Sequence, residues 1–145
     1  MELKNRLKDL QSAIKNTGNA TANMLPLADM LCRDALAMFL KSREIDVVNG
    51  VVMKPEKQNI YIFCSMANSL FPPEIRIILK GFRQMRNLYV HNVGAAPENC
   101  REYIDRIAAV IEWIIRISDG DEGGATQLLA QIKAANAAIM EGEQR

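Results

Sequence analysis

Apolar residues recur along this chain at steps of three and four, the spacing that places them on one face of a helix. Leu3, Leu7, Leu10 and Ile14 set that rhythm over residues 2 to 16, and Asn16-Thr17-Gly18-Asn19 ends it. A helix of roughly 15 residues is marginal alone in water, so this narrow seam needs a surface to pack on. From about 25 to 43, Leu27, Leu31, Ala35, Met38 and Phe39 form a core stripe, with Pro26 in the first turn, where its missing N–H costs nothing. Arg33 and Asp34 read as the solvated edge of that helix. Pro55-Glu56-Lys57 opens a further helix through Ile60, Phe63, Cys64, Ala67 and Leu70, which Phe71-Pro72-Pro73 closes.

Pro73 then sits at the first position of the next helix, with Glu74 where a negative charge suits the helix dipole. The pattern runs to about Asn92, and Gly94 is its stop. Pro97-Glu98 begins another helix, whose core stripe is Ile104, Ile107, Ala108, Ile111, Ile114 and Ile115. Val110 and Trp113 fall off the centre of that stripe. Trp113 therefore reads either as a contact for another chain or as part of a second core face. Ser118-Asp119-Gly120-Asp121-Glu122-Gly123-Gly124 breaks the pattern, after which Ala125, Leu128, Leu129, Ile132, Ala135 and Ile139 mark a last helix ending near Gly142. The first and last helices carry seams to be buried on each other or on a second subunit.

One stretch departs from the helical period. In Asp46-Val47-Val48-Asn49-Gly50-Val51-Val52-Met53, β-branched pairs flank Asn-Gly, the pattern of a type I′ hairpin. The expected architecture is all-α: a single domain over residues 1–145, an up-and-down bundle of five to six helices, with a possible short hairpin at 46–53.

Composition narrows the picture. A chain of 145 residues, 49% of them apolar, is long enough for one core burying roughly two thirds of its unfolded surface. Its formal net charge is +1, so any nucleic-acid footprint must be local. The greasiest window, Ile104 to Ile117, is interrupted by Asp105, Arg106, Glu112 and Arg116, and Met1-Glu2-Leu3-Lys4 lacks the start of a secretory signal. No membrane role and a cytoplasmic location are expected. Cys32, Cys64 and Cys100 are too widely spaced for a zinc motif or a disulfide framework, so buried thiols are expected and no metal or cofactor.

The chemistry concentrates in Gly81-Phe82-Arg83-Gln84-Met85-Arg86-Asn87-Leu88-Tyr89-Val90-His91-Asn92-Val93-Gly94, the stretch around which the chain reads as organised and the one that holds its single histidine. Turning about 100° per residue puts Ile75, Ile78, Leu79, Phe82, Met85 and Tyr89 on the core side. Arg76, Lys80, Arg83, Asn87 and His91 form a ridge on another side, without an acid among them, a pattern suited to phosphate. Arg86 falls near the middle of the apolar arc, between Phe82, Leu79 and Tyr89, where an unpaired guanidinium is costly. It needs a carboxylate, with Asp29, Asp34 and Asp105 as candidates, or a phosphate. His91 lies in the last turn, whose unsatisfied carbonyls favour its protonated form, and Asn87 is one turn away.

Arg86-Asn87-x-x-x-His91 near a helix end resembles the signature of the HEPN superfamily, the higher eukaryotes and prokaryotes nucleotide-binding domains. Asp29-Met30-Leu31-Cys32-Arg33-Asp34-Ala35-Leu36 is similar to the early core helix of members associated with restriction and abortive-infection systems. The resemblance covers about 25–117 and leaves out the terminal helices, about 2–16 and 121–141. It implies a homodimer with two motif helices facing across a shared cleft, and in many members metal-independent cleavage of RNA, in prokaryotic defence or toxin–antitoxin systems. On that pattern Arg86, Asn87 and His91 are the catalytic residues, and an antitoxin or a defence-complex protein is a possible partner, while the cations of the ridge, Arg76, Lys80 and Arg83, are the candidate substrate-binding residues. The alternative within the same resemblance is a non-catalytic module that dimerises and binds protein or nucleic acid.

Overall fold

The computed structural model describes residues 2–16, 24–42, 47–48, 51–52, 71–91 and 100–143. Among them are five helices: α1 (Glu2–Asn16), α2 (Leu25–Ser42), α3 (Pro73–His91), α4 (Cys100–Ser118) and α5 (Glu122–Glu143). Strands β1 (Val47–Val48) and β2 (Val51–Val52) pair antiparallel, Val47 with Val52 and Val48 with Val51, the register expected around Asn49-Gly50. The turn itself and the helix expected from Pro55 to Leu70 lie outside the described residues. The chain is thus an all-α bundle, and no helix among the described residues is long and apolar enough to cross a membrane.

The packing centre is α4, against which all four other helices lie, and not the cation-rich stretch at 81–94. The reason is in its composition. Ile104, Ile107, Ala108, Val110, Ile111, Trp113, Ile114 and Ile115 are all buried, and their positions cover about 220° of the helix circumference, too wide an arc for one neighbour to hide. Trp113 is 6% exposed and meets Phe39 of α2 and Phe71, with ring centroids 6.4 and 6.1 Å away, while Phe39 and Phe71 lie 4.8 Å apart. These are ordinary separations for tilted aromatic pairs. The reading of Trp113 as a contact for another chain is therefore corrected: it belongs to a second core face.

The terminal seams are buried within the chain in part: Leu3 and Leu129 are half-buried and Ala135, expected on the seam, is exposed. Leu7, Leu10 and Ile14 of α1 are buried where that helix packs on α2 and α4, and Arg6 reaches Asp34 of α2 at 3.0 Å. Ala125, Leu128 and Ile132 of α5 are buried where it packs on α3 and α4. On α2, Leu25, Ala28, Leu31, Cys32, Ala35, Leu36, Phe39 and Leu40 are buried, and the expected stripe needs one correction. Leu27 is 40% exposed because the buried face is centred on the Ala28, Leu31, Ala35 side of the helix.

The sharp reversal from α4 to α5 follows from Asp119-Gly120-Asp121. Gly120 takes φ of 81°, and two hydrogen bonds, Gly120 N–H to Ile117 O and Asp121 N–H to Arg116 O, close a Schellman stop. Asp121 then caps α5, its Oδ1 accepting from the Gly124 N–H at 3.0 Å. Asp121→Ala is expected to cost about 1 kcal/mol of stability in urea unfolding, and Asp121→Asn much less. At the other end of the core, α3 starts as its prolines require: Pro72 O accepts from both Ile75 and Arg76, each at 3.1 Å.

Candidate functional site

The core side of α3 is as expected from its period: Ile75, Ile78, Leu79, Phe82 and Met85 are buried. Gly81 lets α4 come close, since a Cβ there would stand 2.9 Å from the ring of Tyr103. On the ridge, Lys80 is exposed and Arg76, Arg83 and Asn87 are half-buried, strung along about 17 Å of helix axis. Tyr89 and His91 are on α3, His91 as its last residue, but their side chains lie outside the described part.

Arg86 resolves into a defined contact. Its Nε stands 3.3 Å from Oδ2 of Asp29 on α2, which selects one of the three candidate carboxylates. Asp34 is taken by Arg6 instead. Asp105 belongs to α4, where burial, as the leading cause, pushes its carboxyl above the ordinary value of 3.8, with Arg101 opposing and Glu102 adding to the shift. The Arg86 side chain remains 35% exposed, so it lies at the border of the apolar arc rather than in its middle. Its Nη1 also donates to Oδ1 of Asn87 at 3.5 Å, a long contact that joins the two neighbouring motif residues.

Asp29 is shared. Arg33, one turn further along α2, places its Nε 3.2 Å from Oδ1 and 3.1 Å from Oδ2 of the same carboxylate. Asp29 and Arg33 are the more enclosed members, at 13% and 12% exposure. Two guanidiniums thus meet at one carboxylate, which links α2 to the motif helix through side chains. The reading of Arg33 as a solvated edge is corrected by this contact. An acid four residues before a base on one helix was the available signal, since that order and spacing favour pairing.

Two depressions lie away from this group. A cleft of about 770 Å³ runs between α1, α4 and the start of α5, but its charges close on one another: Lys4 meets Asp119 at 3.0 Å, and Arg116 meets Glu112 and Gly124 O, each at 2.9 Å. A cavity of about 210 Å³ between α3, α4 and α5 is lined by Ile78, Ala109, Leu128 and Ile132, with Asp105 also on its wall. The raised Asp105 carboxyl means that the folded chain holds this proton more tightly than the unfolded one. Stability contributed there is full below 3.8 and falls as pH rises through the raised value. Asp105 is an exposed residue, so solvent screens most of this effect, and Asp105→Asn is expected to melt at or only slightly above the unsubstituted chain at pH 7.

Among the described residues there is no grouping of three His, Cys, Asp or Glu side chains able to hold a metal ion. The fold and the group on α2 and α3 define the class of the molecule as a helical bundle with an arginine pair anchored on one aspartate. Comparison with protein-family models, with curated proteins and with solved structures finds no match to this chain.

Proposed function

We propose that this chain is a metal-independent endoribonuclease of HEPN type, acting as a homodimer in prokaryotic defence or a toxin–antitoxin pair. The observation that carries the reading is Arg86, held 3.3 Å from Asp29 yet one-third exposed, five residues before His91 at the end of the same helix. A cation that is fixed but reachable, on a helix that ends in the chain's one imidazole, suits a phosphodiester.

The chemistry runs in one balanced step. The 2′-hydroxyl oxygen of RNA attacks the adjacent phosphorus while its proton passes to a base, and the 5′-oxygen departs with a proton from an acid, leaving a 2′,3′-cyclic phosphate and a 5′-hydroxyl. His91 serves as base or acid, and the second subunit's copy of the same residue supplies the other role. Arg86 stabilises the charge that builds on the phosphoryl oxygens, and Asn87 orients one of these groups. Arg76, Lys80 and Arg83 extend the contact along the RNA backbone. The direct test is incubation of the purified chain with RNA in EDTA. Cleavage of RNA, with the 2′-O-methyl form of the same sequence left intact, is the expected result. Equal degradation of both, or of neither, contradicts the reading.

A further inference from the structure

Asp29 has no place in the Arg86-Asn87-x-x-x-His91 pattern, yet its carboxylate is the group against which Arg86 is set. A guanidinium presents five N–H donors in one plane, and which edge faces outward depends on which edge is tied down. Here the tie is at Nε, 3.3 Å from Asp29 Oδ2, and Nη1 leans towards Asn87 Oδ1 at 3.5 Å. With Nε turned to the anchor and the side chain 35% exposed, the remaining N–H donors are left within reach of a phosphate. The anchor is itself fixed: the Nε of Arg33 is within 3.2 Å of both Asp29 oxygens from one turn along α2.

We infer that Asp29, fixed by Arg33, is a positioning residue that aims the remaining donors of Arg86 at the scissile phosphate of RNA. The inference rests on the ribonuclease reading above. An arginine free to rotate loses that freedom on meeting the transition state, whereas one already tied at Nε does not, so the anchor acts on turnover more than on substrate capture.

The experiment compares the full-length chain with Asp29→Asn, Asp29→Glu and Arg86→Ala in EDTA. The probe is an RNA oligonucleotide that the unsubstituted chain cuts, kcat and KM are read separately, and thermal melting is followed alongside. Asp29→Asn is expected to lower kcat about 100-fold while KM moves by less than about threefold, the signature of a misplaced group that acts mainly in the transition state. Asp29→Glu, which keeps the charge but displaces it by one methylene, is expected to fall between the two. If Asp29→Asn has melted at the assay temperature, Asp29→Glu decides alone, a drop in kcat of about tenfold supporting the inference and an unchanged kcat overturning it. Folded Asp29 variants with unaltered kcat and KM, beside an inactive Arg86→Ala, overturn the inference and leave the nuclease reading standing. An unsubstituted chain that cuts no faster than Arg86→Ala overturns both.

Discussion

Arg86→Ala and His91→Ala are each expected to lower EDTA-resistant RNA cleavage by at least about 100-fold, measured as the initial rate on a labelled oligonucleotide. Removal of a positioned acid or base typically costs about 10²- to 10⁴-fold, and removal of a donor aimed at developing charge costs about 10²- to 10³-fold. The double variant is expected to be little worse than either single one, because residues that act as a unit are not additive. Arg86→Ala is a clean probe for a structural reason. Asp29 keeps Arg33 as a partner when Arg86 is cut back, so no carboxylate is left uncompensated. The Arg86 contact is one-third exposed and screened by solvent, and its loss is worth about 1 kcal/mol or less of stability. Loss of cleavage with an unchanged melting transition is therefore the predicted pattern. Cleavage at the original rate in both variants contradicts the assignment of these residues.

The largest effect on stability is expected at Trp113. Trp113→Ala removes an indole packed against Phe39 and Phe71 on the helix that holds the bundle together, and such truncations cost about 3–5 kcal/mol. Domains of this size have only about 5–15 kcal/mol to lose, so a shift of the urea midpoint to much lower concentration is expected, with partial unfolding at 37 °C. Trp113→Phe keeps an aromatic ring in the cluster and is expected to cost much less. A cost below about 1 kcal/mol for Trp113→Ala would mean that the indole is not core, as an exposed surface residue would behave.

What could be read from the chain alone follows from how local each feature is. The limits of α1 and the start of α3 were legible because the period of Leu3, Leu7, Leu10 and Ile14, and the placement of Pro73 before Glu74, are local rules. The α4 to α5 break was legible for the same reason, since Gly120 supplies the positive φ that the stop requires. Trp113 could not be settled in this way. Its position 180° from Ile104 becomes interior only because helices pack around most of α4, which is a tertiary fact. Leu27 fails in the opposite sense: it keeps the helical period of its neighbours but lies beyond the edge of the face that α4 covers.

The candidate site divides along the same line. That Arg86 needs an anionic partner followed from its place among Leu79, Phe82 and Tyr89, and Asp29 was among three candidates. The choice between them depends on the tertiary fold, in which α2 and α3 both pack on α4 and Asp29 comes within 3.3 Å of Arg86. Arg33 reads as solvated because charged residues on helices usually are, whereas its partner Asp29, one turn back, holds it at 12% exposure. The ridge of Arg76, Lys80 and Arg83 was legible as a pattern, and its members are exposed or half-buried along one side of α3.

On the proposed function, RNA is cleaved at the end of α3 by attack of the RNA's own 2′-hydroxyl. The most direct measurement is the chemistry of the new ends made from a single RNA oligonucleotide in EDTA by the unsubstituted chain, with Arg86→Ala as background. The account predicts a 2′,3′-cyclic phosphate on one fragment and a 5′-hydroxyl on the other. Fragments bearing a 3′-hydroxyl and a 5′-phosphate, or no fragments above the Arg86→Ala background, would contradict it.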